Sequence, residues 1–286
     1  MAIELSNLTF TEQDDIVPAS GVEQIVNTGI ANTLAGDDKI TGTGGTYSIE
    51  NSGTLNTSDG NDIITGIDNT GVESNIGIYN NQYSLIDTGD GNDTVTGTAS
   101  GVGFRNNDGT IETGKGEDII IGSGIFGYGI SNEKGFIYTG DGNDIILGIG
   151  IDSFGIYNSG RIDTGDGDDL IISNGVIYNT GAINTGNGND SIIAGEGFQL
   201  DRGGAMFLGE GEDYINGFGS GVYFGDSGND ILELMPGSYT IGISPGPIIF
   251  AKDGITMSTF GFEKLIAGST SYDFTSLTQG QTIIVA

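Results

Sequence analysis

The sequence predicts an all-β chain wound as a parallel β-solenoid, and three observations carry that expectation. A nine-residue unit recurs along 286 residues: TGDGNDIIL at Thr139, TGDGNDTVT at Thr88, TGDGDDLII at Thr164 and TGNGNDSII at Thr185. Looser copies start at Thr57, Thr113 and Leu208, and degenerate ones lie from Leu34 and Gly225. Aligned on the last acid, nine copies carry Asp38, Asp62, Asp93, Asp118, Asp144, Asp169, Asp190, Asp213 and Asp230, separated by 24, 31, 25, 26, 25, 21, 23 and 17 residues. Every copy has glycine two residues before that aspartate and an aliphatic residue two after it, as in Gly142 and Ile146. The runs between turns are short and β-branched, and helical periodicity is absent.

Residues 1–24 alternate apolar and polar around Ile3, Leu5, Leu8 and Phe10, which predicts one or two strands capping the open end of the coil. Residues 25–235 form the predicted solenoid of about nine coils. A second motif precedes each aspartate by about 11 residues, reading IVNTGIANT at Ile25, FGIYNSGRIDT at Phe154 and VIYNTGAINT at Val176. Its asparagines are Asn27, Asn51, Asn80, Asn106, Asn132, Asn158 and Asn179, and most are followed by a glycine such as Gly53 or Gly160; the Asn80 copy has Tyr83 instead. Glycine and asparagine at fixed offsets are expected to supply positive-φ corners. Stacking at about 4.7–4.9 Å puts Ile64, Val95, Ile120 and their equivalents in an inward ladder, and aligns the asparagines for hydrogen bonds along the axis. Nine coils make a rod on the order of 40 Å long. The last interval, 17 residues, predicts a narrowing coil. Residues 236–286 contain Pro236, Pro245 and Pro247 and read as a small antiparallel cap.

Composition limits the chemistry. A net charge of −31, from 39 acidic and 8 basic residues, excludes nucleic acid and an anionic membrane surface as natural partners. The basic residues Lys39, Arg105, Lys115, Lys134, Arg161, Arg202, Lys252 and Lys264 form no evident catalytic cluster. With no cysteine and no histidine, the available ligands are carboxylates, amides and carbonyls, which suit a hard cation such as calcium. No stretch approaches the roughly 18–20 apolar residues of a membrane span. The N-terminus lacks a basic patch followed by an apolar run, so a Sec signal peptide is not expected.

Asp93, Asp118, Asp144, Asp169 and Asp190 are the leading candidate metal ligands, followed by Asp62 and Asp213. Asp38 and Asp230 lie at the ends, where a neighbouring turn is missing. Two stacked glycine-rich turns would surround an ion that neither holds alone, so binding would be folding. Lys115 replaces the third-position acid in one copy, either weakening that site or merely decorating the surface. Tyr79, Phe104, Tyr157 and Tyr178 are expected to form a packed or stacked ladder on one face, with a sugar-binding stripe as the alternative.

The nonapeptide resembles the RTX (repeats-in-toxin) calcium-binding family, whose consensus is GGxGxDxUx with U a large aliphatic. Positions 4, 6 and 8 match in all nine copies, whereas position 1 is usually threonine, as at Thr88, Thr139 and Thr164. The period departs too: RTX rolls join two nonapeptides per coil, while here one nonapeptide is joined to an Asn/Gly segment similar to the repeats of extracellular β-helix proteins. The resemblance covers roughly residues 25–235 and implies one calcium ladder instead of two. The tail from Ser238, with GFEKLIAG and SYDFTSL, is similar to the cap and secretion segment of RTX proteins, which implies type I export. The expectation is a secreted, calcium-binding structural or cell-surface protein and not an enzyme, with cell-surface polysaccharide or self-association as further partners. The alternatives are a polysaccharide-acting β-helix enzyme or a carbohydrate- or ice-binding solenoid; for the last, Thr94 and Thr96 supply one Thr-x-Thr rung.

Overall fold

A computed structural model describes residues 2–18, 23–151, 153–201 and 203–286; Arg202 and part of the N-terminal cap segment lie outside the described residues. The chain is an all-β parallel solenoid with no α-helix among the described residues. Each coil contributes three short strands. In one central coil these are Ile130–Glu133, Phe136–Tyr138 and Ile145–Gly150. Like strands of successive coils pair in parallel, building three ladders in strict register. The first sheet carries the asparagine motif and the second follows the Asn/Gly corner. The third follows the Gly-Asp turn and has twelve strands.

The alternation within strands decides which way side chains face. In Ile145–Gly150 residues Ile146, Gly148 and Gly150 are buried while Ile145, Leu147 and Ile149 face out. The same pattern places Ile40, Ile64, Val95, Ile120, Ile146, Ile171, Ile192, Ile215 and Leu232 in one core column, each at most 1 % exposed. Columns from the other two sheets, such as Ile130–Ile156–Ile177 and Ile111–Ile137–Ile162, complete a single core running along the axis.

The predicted asparagine ladder is present. Asn27, Asn51, Asn80, Asn106, Asn132 and Asn158 each donate Nδ2 to the Oδ1 of the next asparagine at 2.8–2.9 Å, all buried. The same amides also reach backbone carbonyls of the following coil, as Asn132 does to Arg161 O at 3.0 Å. An amide stacked on its own kind is satisfied as donor and acceptor at once, which lets a polar column sit inside a core.

The corner glycines need a different explanation from the expected one. Gly53, Gly109, Gly135, Gly160 and Gly181 do not adopt positive φ; at three corners that role falls to Tyr83, Asp108 and Lys134. The glycines are required because coils touch there: a Cβ on Gly160 would lie 2.0 Å from Gly135 O. The aromatic expectation is also corrected in one member. Phe104 is fully buried, standing in the core column between Ile78 and Ile130, so it is no part of an outer face. Tyr157 and Tyr178 do stack face to face, with centroids 5.3 Å apart, and Tyr79 stacks on Tyr47 at 4.6 Å.

At the C-terminal end the strand Gly219–Gly228 pairs first in the first sheet and then in the second, so the two faces merge where the coil shortens. Beyond it, Gly237–Ile243, Ile248–Lys252, Ile255–Phe260 and Thr282–Val285 form the antiparallel cap. At the N-terminal end Ala2–Glu4 opens the first sheet and Ile16–Val17 the third.

Candidate functional site: a buried carboxyl ladder

The Gly-Asp turn links the second sheet to the third, and its glycines make the sharp reversal. Gly140 and Gly142 have φ of 102° and 154°. Sterics add a stronger demand at the second glycine: a Cβ on Gly91 would stand 1.7 Å from Gly60 O, the later turn glycines of this row and Gly60 meet the carbonyl of the coil before them in the same way, and Gly36 meets the Gln13–Asp14 backbone at 2.7 Å. No side chain fits, which explains why this position is glycine in all nine copies.

The nine predicted aspartates come together as one column, and they point inward. Each is at most 2 % exposed. Their Oδ1 atoms accept the backbone N–H of the rung before, from Asp15 N on Asp38 to Asp213 N on Asp230, at 2.7–3.0 Å. The other carboxylate oxygen, Oδ2, is buried without a hydrogen-bond partner among the described residues in all nine. Burial therefore pushes these carboxyls up. Asp62, Asp118 and Asp230 rise to about 6 and Asp93, Asp169 and Asp213 to about 7. Asp38, Asp144 and Asp190 are raised for the same reason. The hydrogen bond that Oδ1 accepts from the preceding amide opposes the shift.

Those threonines form a second column that sequence reasoning passed over. Thr33, Thr57, Thr88, Thr113, Thr139, Thr164 and Thr185 are buried beside the carboxyls. Each hydroxyl donates to a backbone carbonyl of the next coil at 2.8–3.3 Å. The signal was available, since each lies five residues before its aspartate. The amide-to-carboxyl hydrogen bonds run one step past the motif at each end, onto groups that are not buried. Asp15 pairs in register ahead of Asp38, its carboxylate taking Thr11 N at 2.8 Å, and Glu263 Oε2 receives Asp230 N at 2.8 Å at the far end. Neither residue sits in a GxGxD turn, so only strand pairing reveals them. Lys115 stays outside the column: its side chain is 65 % exposed and its Nζ lies 3.8 Å from Asp141 on the surface.

Calcium requires six to eight oxygens, and the turn offers a restricted set. Carbonyls at the third position already accept the next glycine N–H of the neighbouring coil, as Lys115 O does from Gly91 N at 2.7 Å. The threonine carbonyls are taken by the hydroxyl column. On the inner side of the turn this leaves one Oδ2 per coil and the carbonyls of Gly60, Gly91, Gly116, Gly142 and Gly167, which accept no hydrogen bond from the described residues, while exposed carboxylates such as Asp59, Asp90 and Asp141 lie on its outer side. Among the described residues no three acidic side chains converge on one point. The donor type thus fits a hard cation, held by two carboxyls of successive coils at most.

Fold and ladders define a parallel β-solenoid repeat protein of about nine coils. Neither a protein family nor a curated protein matches the chain.

Proposed function

We propose that this protein is a secreted structural solenoid, non-enzymatic, whose internal carboxyl column is neutralised by hard cations, calcium foremost. The single observation that supports it is the row of nine buried, partnerless Oδ2 atoms, one per coil and in register. A carboxyl raised from its ordinary value to about 7 destabilises the fold by roughly 1 kcal/mol per pH unit between those two values. Six rungs raised to about 6 or 7 act in the same direction, and together they weigh heavily against the roughly 5–15 kcal/mol of a typical domain. Near neutral pH the column needs either protons or metal. Asp93, Asp118, Asp144, Asp169 and Asp190, then Asp62 and Asp213, would hold the ions, with Asp38 and Asp230 at the ends of the row; the ion supplies charge neutralisation. The low-calcium interior and calcium-rich exterior of a cell would then time folding to follow export. The tail's likeness to type I secretion segments agrees with that order, and a cell-surface setting follows.

Isothermal titration of EDTA-stripped protein with calcium, and with magnesium as control, tests the proposal. Calcium-specific heat accompanied by a rise in melting temperature is expected, with Asp144→Asn reducing the number of ions bound. Calcium that neither binds nor raises the melting temperature would overturn it.

A further inference from the structure

The outer side of the third sheet carries a pattern unlike the rest of the surface. Its strands read Ile119-Ile120-Ile121, Ile145-Ile146-Leu147 and Leu170-Ile171-Ile172. Such continuous apolar runs are usual where a parallel sheet is buried on both faces. Here only one face meets the core, since Ile120, Ile146 and Ile171 are buried and their neighbours face out. Strand register sorts the outward residues into columns. One runs Ile63, Thr94, Ile119, Ile145, Leu170, Ser191, Tyr214, Ile231, and another Thr65, Thr96, Ile121, Leu147, Ile172, Ile193, Asn216, Glu233. Ile67, Thr98, Ser123 and Ile149 begin a third. The outward column of the second sheet is instead interrupted by acids, running Asp87, Glu112, Tyr138, Asp163 and Asn184 before it ends in Phe207, Phe224 and Phe260.

We infer that the outer face of the third sheet is the interface through which two copies of this chain pair, face to face about a two-fold axis. Three observations select a second copy as the occupant. In a molecule of net charge −31, two copies repel each other across most approaches. From the Ile63 rung to the Ile231 rung these columns carry no acid save Glu233 in the last rung, and the face is flanked by Lys39 at one end and Lys264 at the other. Its ranks repeat at the coil spacing, so an identical face offers ridges of matching pitch, and a two-fold pairing sets the isoleucine and leucine rungs of both copies against each other. Its size is also adequate. Eight rungs by two to three columns span about 34 by 15 Å, giving roughly 1,000 Å² over both copies, the lower bound of a specific interface.

Sedimentation velocity of the full chain in EDTA at pH 5, where protons neutralise the carboxyl column and the fold needs no metal, over a micromolar dilution series, tests this apart from any calcium effect. The expected result is a species of twice 29.4 kDa that dissociates on dilution. Leu147→Lys, at the centre of the face, is expected to weaken it by roughly tenfold or more, while Tyr138→Lys on the second sheet leaves it unchanged. Because the chain has no cysteine, Leu147→Cys provides an independent reading: it should form a disulfide-linked dimer under mild oxidation, and Tyr138→Cys should not. A wild-type monomer throughout, or a dimer indifferent to both Leu147 variants, would overturn the inference. So would a monomer that instead partitions onto neutral lipid vesicles through this face.

Discussion

A carboxyl group shut away from water and given one hydrogen bond for two oxygens is unstable as an anion, and its protonation state follows its surroundings. Each rung here is such a group. The sign of the consequence is fixed by direction: the folded-state values lie above the ordinary carboxylate value, so the stabilising form is the protonated one. That contribution is complete below pH 4 or so and is lost as pH rises through about 6 to 7. In EDTA the melting temperature is therefore expected to fall between pH 5 and pH 8, and calcium to restore it at pH 8; circular dichroism melts at both pH values check this. The turn glycines set the other residue-scale limit. Gly91→Ala places a methyl 1.7 Å from Gly60 O at a φ of 152°, and a loss of about 2–4 kcal/mol is expected by urea unfolding.

At the scale of the element, the coil is held by columns and not by any single strand. Strands of three to six residues have little stability alone. They persist because asparagine, threonine and carboxyl columns bond each coil to the next at fixed offsets. Asn132 shows how concentrated this is: it donates to Asn158, Gly135 and Arg161 and accepts from Asn106. Truncation to alanine strands buried partners in two coils. Asn132→Ala is expected to cost about 3 kcal/mol or more, with hydrogen exchange accelerating at the corners beside it before the ends of the rod respond. The aromatic stacks belong to the same scale. Tyr128, Tyr157 and Tyr178 cover one another's faces, which suits a packing ladder better than a platform for sugar rings.

For the whole molecule, near-identical coils make stability a sum over neighbours. Removing one full coil, residues 119–144, rejoins equivalent positions, because Ile119 pairs in register with Ile145. That deletion is expected to keep the fold with a melting temperature lower by a few degrees. Removing only residues 119–131 leaves an asparagine segment with no third-sheet strand and should abolish cooperative unfolding. Calorimetry distinguishes the two.

Much of this architecture could be read from the sequence because a solenoid repeats its constraints. A glycine that must avoid a carbonyl, an aliphatic that must face the core and an asparagine that must bond its counterpart recur every 25 residues or so, and periodicity alone exposes them. The fold class, the inward aliphatic column, the asparagine ladder and the C-terminal narrowing were legible for that reason. The tertiary structure alone decided what depends on the coil above and below. It turned the aspartates inward with one oxygen bonded and one orphaned, a choice made by the amide of the preceding coil. It capped the column's hydrogen bonds at its two ends with Asp15 and Glu263, placed at the surface by strand register with no turn motif to announce them. It moved Phe104 into the core, and it left the third sheet's second apolar face outside, because strand alternation gives a run of isoleucines two sides and the coil has room within for only one.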